Sequence, residues 1–95
     1  MTKIHKHSVT IDDASHEFSL PDFAQIVHVA PGFESRRTVD FWFSFPVRPT
    51  LNLPPCARRF RVFGTGHEIP TGFRHVGTAV DYGLRLVWHL CEETE

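Results

Sequence analysis

The chain has 95 residues, a length that supports one hydrophobic core, so residues 1–95 are expected to form a single domain. Hydrophobic residues make up 41% of the chain and nine residues are Phe, which excludes a disordered regulator, a collagen-like chain and a coiled coil. The formal net charge of −1 argues against nucleic acid as a partner, and the lack of a long apolar run argues against a membrane span.

The first third of the sequence predicts three strands. Residues Ile4–Ile11 alternate between apolar and polar side chains, and Glu17–Leu20 form a short return segment. The polar cluster Asp12–Ser15 between them is typical of a turn, so we expect these two strands to pair as a hairpin. Gln25–Ala30 is a continuous run closed by Pro31, which favours a central strand buried on both faces.

Four further strands follow. Val39, Phe41, Phe43, Phe45 and Val47 share one face of a half-buried strand that ends in a proline-rich stretch at residues 46–56, expected to be the longest loop. Phe60 and Val62 mark the next strand, which stops at Gly64. Residues 74–80 form another, with Gly77 at a bulge. Leu84, Leu86, Trp88 and Leu90 are expected on the core face of the last. About seven strands predict an all-β fold, a small antiparallel sandwich or barrel.

The charges of the chain are unevenly distributed. Arginine exceeds acid between Gly32 and Asp81, whereas the segments on either side are acidic. The guanidinium group suits bidentate recognition of anions, although a compositional bias toward arginine explains the excess equally well. The first residues carry no secretory signal, so Cys56 and Cys91 are expected to be reduced thiols in an intracellular protein.

Several motifs resemble those of a family of small, uncharacterised β proteins encoded mainly by bacteriophages and prophages. The matching positions are Lys3-Ile4-His5-Lys6, Leu20-Pro21, the loop from Gly64 to Pro70 with its Gly-Thr-Gly-His-x-Ile-Pro pattern, and the Leu-Val-Trp-His segment Leu86–His89. The stretch from Gly32 to Pro55 departs from that pattern. The resemblance implies an all-β domain of phage origin located in the cytoplasm of the host cell, and it implies no activity.

The loop Gly64-Thr65-Gly66-His67-Glu68 is the most distinctive local feature. Glycines allow a backbone to approach a ligand and to expose amide groups to an anion. His67 and Glu68 supply a donor and an acceptor beside them. The alternative is a tight connection between strands that needs a positive φ at one glycine, with His67 capping loop carbonyl groups.

Arg59, Arg61 and Phe63 share one face of the strand that precedes this loop. Arginine beside an aromatic ring on a strand face can seat an acidic partner, but it can also form ion pairs with the acidic segments of the same chain. Trp42 is expected on the face opposite the core, where it would contribute to a homodimer interface. The predicted binding surface consists of Arg59, Arg61, Phe63 and the Gly64–Glu68 loop, and Trp42 is a separate interface prediction.

Catalytic and metal sites are not predicted. His5 and His7 share a strand face at a spacing that can chelate a metal, yet a third ligand is missing nearby, so no metal or other cofactor is expected. The cysteines lack the context that activates a thiol. The sequence therefore favours a non-enzymatic phage accessory module, a homodimer that binds or inhibits a host component. Sequestration of a small anionic ligand such as a nucleotide, and a structural role in the virion, remain as alternatives.

Overall fold

The computed structural model describes residues 1–47 and 54–94, and the central residues of the predicted proline-rich loop, 48–53, lie outside them. Seven strands and no helix occur in the described residues, so no helix there could span a membrane. The strands are β1 (Thr2–Thr10), β2 (His16–Leu20), β3 (Gln25–Pro31), β4 (Thr38–Pro46), β5 (Cys56–Gly64), β6 (Phe73–Asp81) and β7 (Leu86–Glu93).

The strands form two antiparallel sheets that pack as a sandwich. The first sheet has the order β1-β4-β3, and the second has the order β2-β5-β7-β6. Every pairing is antiparallel. The predicted all-β class and the seven strands are confirmed, and of the two predicted architectures the structure is the sandwich.

The core lies between the sheets and is built from the predicted alternation on β4. Val39, Phe41 and Phe43 are at most 2% exposed, and the Phe41 ring meets the Phe60 ring of the second sheet at 4.7 Å between centroids. Val9, Leu20 and Leu90 are fully buried in the same cluster. An aromatic pair that bridges the two sheets adds about 1 kcal/mol beyond the area it buries, so the Phe-rich composition is used chiefly here.

The predicted hairpin of the first two strands is wrong. β1 pairs with β4 and β2 pairs with β5, so Asp12–Ser15 carries the chain from one sheet to the other. Each strand still turns an apolar side chain toward the common core, as Val9 and Leu20 show. The alternation of apolar and polar residues indicates which face of a strand is buried. The same alternation is expected whether two successive strands form a hairpin or lie in different sheets, so it does not distinguish the two connections.

The predicted central position of Gln25–Ala30 is also wrong. β3 is an edge strand of the first sheet, and Val27 is 51% exposed. A bulge between Ile26 and His28 interrupts its pairing with β4. The bulge turns one apolar residue of the run toward solvent, and a sequence pattern of uninterrupted apolar residues does not reveal it.

β3 lies beside β6, the edge strand of the second sheet, and Gly77 permits their close approach. A Cβ atom on Gly77 would stand 2.9 Å from Cβ of Val29 and closer still to Cγ2 of that side chain. The pairing of β6 with β7 shifts register between His75 and Gly77, which confirms the predicted bulge. The glycine is therefore required by contact between the two sheets.

The outward face of the first sheet contains a buried carboxylate. Asp40 is 1% exposed and accepts hydrogen bonds from Ser8 Oγ at 2.6 Å and from the Phe33 backbone N–H at 2.9 Å, with Lys6 Nζ at 3.3 Å. Burial acts to raise the pKa of Asp40, but these donors outweigh it and hold the pKa below its ordinary value. Asp40 thus fastens the β3–β4 connection over the sheet.

We expect Gly77→Ala to destabilise the domain by about 1–3 kcal/mol, because the added methyl group overpacks the contact with Val29. Chemical denaturation monitored by Trp fluorescence measures the change. Gly83→Ala is the matched control, since the nearest atom to its Cβ, Asp81 Oδ1, is 3.4 Å away. Equal losses in the two variants would show that β3 and β6 do not require the close approach, and Val29→Ala should restore much of the loss in Gly77→Ala.

Candidate functional site

The predicted surface on β5 lies on the outward face of the second sheet. Arg59 is exposed and pairs with Glu93 at 3.4 Å. The guanidinium carbon of Arg61 is 4.7 Å from the centroid of the Phe63 ring, and Phe73 meets that ring edge-on at 5.4 Å. Phe63 is only 3% exposed. A partner that approaches this face therefore meets the two arginines, and the Phe63 ring supports Arg61 from below.

The Gly64–Glu68 loop begins as a tight turn. The His67 N–H donates to the Gly64 carbonyl at 3.1 Å, and Gly66 has φ 89°, as a type II turn requires. The His67 ring accepts a hydrogen bond from the Gly64 N–H through Nδ1 at 3.2 Å. The predicted tight connection describes this geometry, but His67 caps an amide and not a carbonyl group. Two loop amides are thereby used within the turn, and Glu68 is exposed beside it.

A polar network on the same outward face was not predicted. Thr65 Oγ1 lies 3.0 Å from Nε2 of His89, and Nδ1 of that ring lies 3.2 Å from Thr78 Oγ1. Thr78 Oγ1 also contacts His75 Nε2 at 2.9 Å. The network joins β7 and β6 to the loop after β5. The sequence feature that could have predicted this network is the alternation of polar residues on β6 and β7. The sequence did not show that these residues face each other on neighbouring strands.

The other histidines considered as ligands, His5 and His7, lie on the core-facing side of β1. The His7 ring is 5.0 Å from the Phe18 ring and stacks on Phe43 at 5.1 Å. Partial burial, followed by the nearby His5, lowers the pKa of His7, which favours the neutral ring that suits aromatic packing. In the residues that the structure describes, no group of three or more His, Cys, Asp or Glu could hold a metal ion.

The end of the β6–β7 hairpin has a cluster of exposed apolar residues. Of the eleven large exposed hydrophobic residues in the described part of the chain, five fall between residues 80 and 87. We call Val80, Tyr82, Leu84, Leu86 and Val87 the hairpin-end surface. The sequence placed Leu84 and Leu86 on the core face, but each is 41% exposed, and β7 begins only at Leu86.

The hairpin-end surface continues into a shallow depression of about 360 Å³ that includes part of the predicted loop. Gly64, Thr65 and His67 line one side of it, and residues 85–88 line the other. Arg85 adopts a positive φ of 55° and provides a charge at the rim. The depression thus brings the predicted Gly64 and His67 together with exposed apolar side chains that the alternation did not identify.

Trp42 lies on the outward face of the first sheet, as predicted. Its ring is half-buried and contacts the His28 ring of β3 at 5.4 Å. Part of the indole is therefore covered within the chain. It lies on a different sheet from the hairpin-end surface.

A buried ion-pair cluster, which the sequence did not identify, closes one end of the sandwich. Glu92 is 7% exposed and accepts hydrogen bonds from Arg58 Nε at 2.5 Å and Nη2 at 2.8 Å, and from Arg74 Nη2 at 2.9 Å. Arg58 also donates to the Ala24 carbonyl at 2.7 Å. Burial acts to raise the pKa of Glu92, but the two arginines hold it below its ordinary value.

One family model matches the chain over residues 1–95, and it is described as a domain of unknown function (DUF7352). The chain belongs to this family. No curated protein and no solved structure matches it.

We expect Glu92→Gln to lower the free energy of unfolding at neutral pH by about 3 kcal/mol, because it leaves the largely buried guanidinium of Arg58 facing a neutral amide. The pKa of Glu92 is lowered by folding, so its stabilisation is present above the ordinary glutamate pKa of 4.5 and is lost as pH falls through the lower folded value. Urea denaturation from neutral to acidic pH measures both effects.

Glu93→Gln is the matched control, because Glu93 is the next residue of β7 and pairs with Arg59 on the opposite, more exposed face. An ion pair of that kind contributes about 0.2–1 kcal/mol. A difference between wild type and Glu92→Gln that stays constant down to acidic pH would contradict the assignment.

Proposed function

We propose that this member of the DUF7352 family is a non-enzymatic binding module of phage or prophage origin that forms a homodimer through the hairpin-end surface and engages a host component in the cytoplasm of the host cell. The hairpin-end surface carries the proposal. Monomeric proteins rarely expose large contiguous apolar patches unless the patches form contacts. The depression beside it is lined by apolar side chains with one arginine and one histidine, which suits contact between proteins more than group transfer.

The exposed side chains of the hairpin-end surface support association, because Tyr82 is 86% exposed and Leu84 and Leu86 are each 41% exposed. An interface of standard size buries about 800 Å² on each partner. In a two-fold dimer the same residues meet their own copies, so Tyr82 and Leu84 of one protomer would contact the hairpin-end surface of the other.

We expect Tyr82→Ser/Leu84→Ser to raise the dimer dissociation constant by about a hundredfold or more, since truncation of an aromatic contact at the centre of an interface commonly costs 2 kcal/mol or more. Sedimentation velocity over a wide range of protein concentrations measures the constant. Phe33→Ser is the matched control, because Phe33 is 85% exposed, Tyr82 is 86% exposed, and Phe33 lies in the β3–β4 connection. A wild-type protein that stays monomeric at every concentration would overturn the homodimer.

The proposed contact with the host component is the outward face of the second sheet, which carries Arg59 and Arg61. The exposed Arg59 is the residue to change, because Arg61 also covers Phe63. We expect Arg59→Glu to reduce recovery of the host component from a host lysate severalfold, whereas Arg36→Glu, on an exposed residue of the β3–β4 connection, leaves recovery unchanged. Equal recovery by wild type and Arg59→Glu would place the host contact elsewhere.

A further inference from the structure

A groove runs between the two edge strands β3 and β6, away from the hairpin-end surface. Its first section measures about 330 Å³ and is lined by residues 24–26, residues 74–76 and Arg58. A second section of about 270 Å³ continues along residues 26–29 and 76–78. The first section lies at the beginning of β6, and the hairpin-end surface lies at its end. The two surfaces can therefore be occupied independently.

The first section carries an excess of positive charge. Two arginines share one carboxylate, because Arg58 and Arg74 both bind Glu92. All three guanidinium nitrogens of Arg58 donate within the chain, since Nε and Nη2 bind Glu92 and Nη1 binds the Ala24 carbonyl. Arg74 uses only Nη2, and its side chain is 63% exposed. A guanidinium with free donors on a groove wall, held in place by a carboxylate, matches an incoming anion.

The surroundings of Arg74 favour a small anion. Gln25 lines the same section and offers a further polar group. The bulges at residue 27 of β3 and residue 76 of β6 interrupt both strand edges, which disfavours addition of a peptide strand along the groove. A space of this size accommodates a small molecule or a substituent of one.

We propose that this section of the groove binds the phosphate or carboxylate group of a small anionic molecule, with Arg74 as the principal contact and Arg58 with Glu92 as the support that fixes its position. The site goes beyond the proposed dimer, and it is distinct from the Gly64–Glu68 loop, two of whose amides are used within the turn. Charge-assisted hydrogen bonds from a preoriented guanidinium give the site its selectivity for oxyanions.

The test is a titration of the full chain, monitored through its backbone and arginine Nε signals in ¹H–¹⁵N NMR spectra. The titration is carried out at low ionic strength, because salt screens the charge of an exposed arginine. Inorganic phosphate, succinate and adenosine monophosphate are the three probes. The first two test the bare oxyanion groups, and the third tests whether a nucleotide adds contacts. We expect saturable shifts at residues 24–26 and 74–76 with at least one probe.

Three variants distinguish binding at this site from nonspecific attraction of anions to the positive charges of the protein. Arg74→Gln should weaken binding about tenfold or more, because it removes a charged donor. Arg59→Gln is the matched control, since Arg59 is also exposed and bound to one glutamate, but on the opposite face of the sheet; we expect binding within about twofold of wild type. Arg74→Lys keeps the charge without the fork and should have an intermediate effect.

The absence of saturable shifts with all three probes would overturn the site, and so would equal weakening by Arg59→Gln and Arg74→Gln. Sedimentation of Arg74→Gln tells the two proposals apart. A variant that loses anion binding and still forms the dimer separates the groove from the hairpin-end surface.

Discussion

The buried carboxylate of Glu92 is the constraint on which one end of the sandwich depends. Glu92 follows Leu90 on the inward face of β7, so alternation directs a charged group into the position of a core residue. Burying a carboxylate without partners would cost several kcal/mol, and the two arginines offset that cost. The same contacts join β5, β6 and β7, and Arg58 adds the segment before β3 through the Ala24 carbonyl. One ionised group therefore connects both sheets where the apolar core ends.

The uneven charge of the sequence follows from this arrangement. The arginine-rich middle supplies Arg58, Arg59 and Arg74, and the acidic C-terminal segment supplies Glu92 and Glu93 as their partners. Part of the apparent anion-binding potential is thus used within the chain. The predicted pairing of arginines with the acidic segments describes Arg59 well, whereas Arg74 keeps donors free beside the groove between β3 and β6.

Alternation of side chains predicted which residues are buried better than it predicted which strands are neighbours. Phe41, Phe43, Phe60 and Val62 were placed correctly, because each lies on a strand with one buried face. The pairing of β1 with β4 was not accessible, since Asp12–Ser15 can join two strands of one sheet or connect two sheets. The exposure of Val27 depends on a bulge in β3, which an uninterrupted run of apolar residues does not reveal.

The four edge strands are consistent with the proposed association through an end of the sandwich and not through an edge. β1 carries Lys3 and Lys6, β2 has only five residues, and β3 and β6 are each interrupted by a bulge. Each device discourages the addition of another strand. The turn between β6 and β7 lies at an end of the sandwich and exposes Tyr82 and Leu84. Leu86 and Glu92 lie on the same face of β7, but Leu86 is exposed at the beginning of the strand and Glu92 is a charged residue in a buried position. These exceptions to an apolar, buried face mark both candidate surfaces, because a regular pattern satisfies the core and leaves contacts with other molecules to its exceptions.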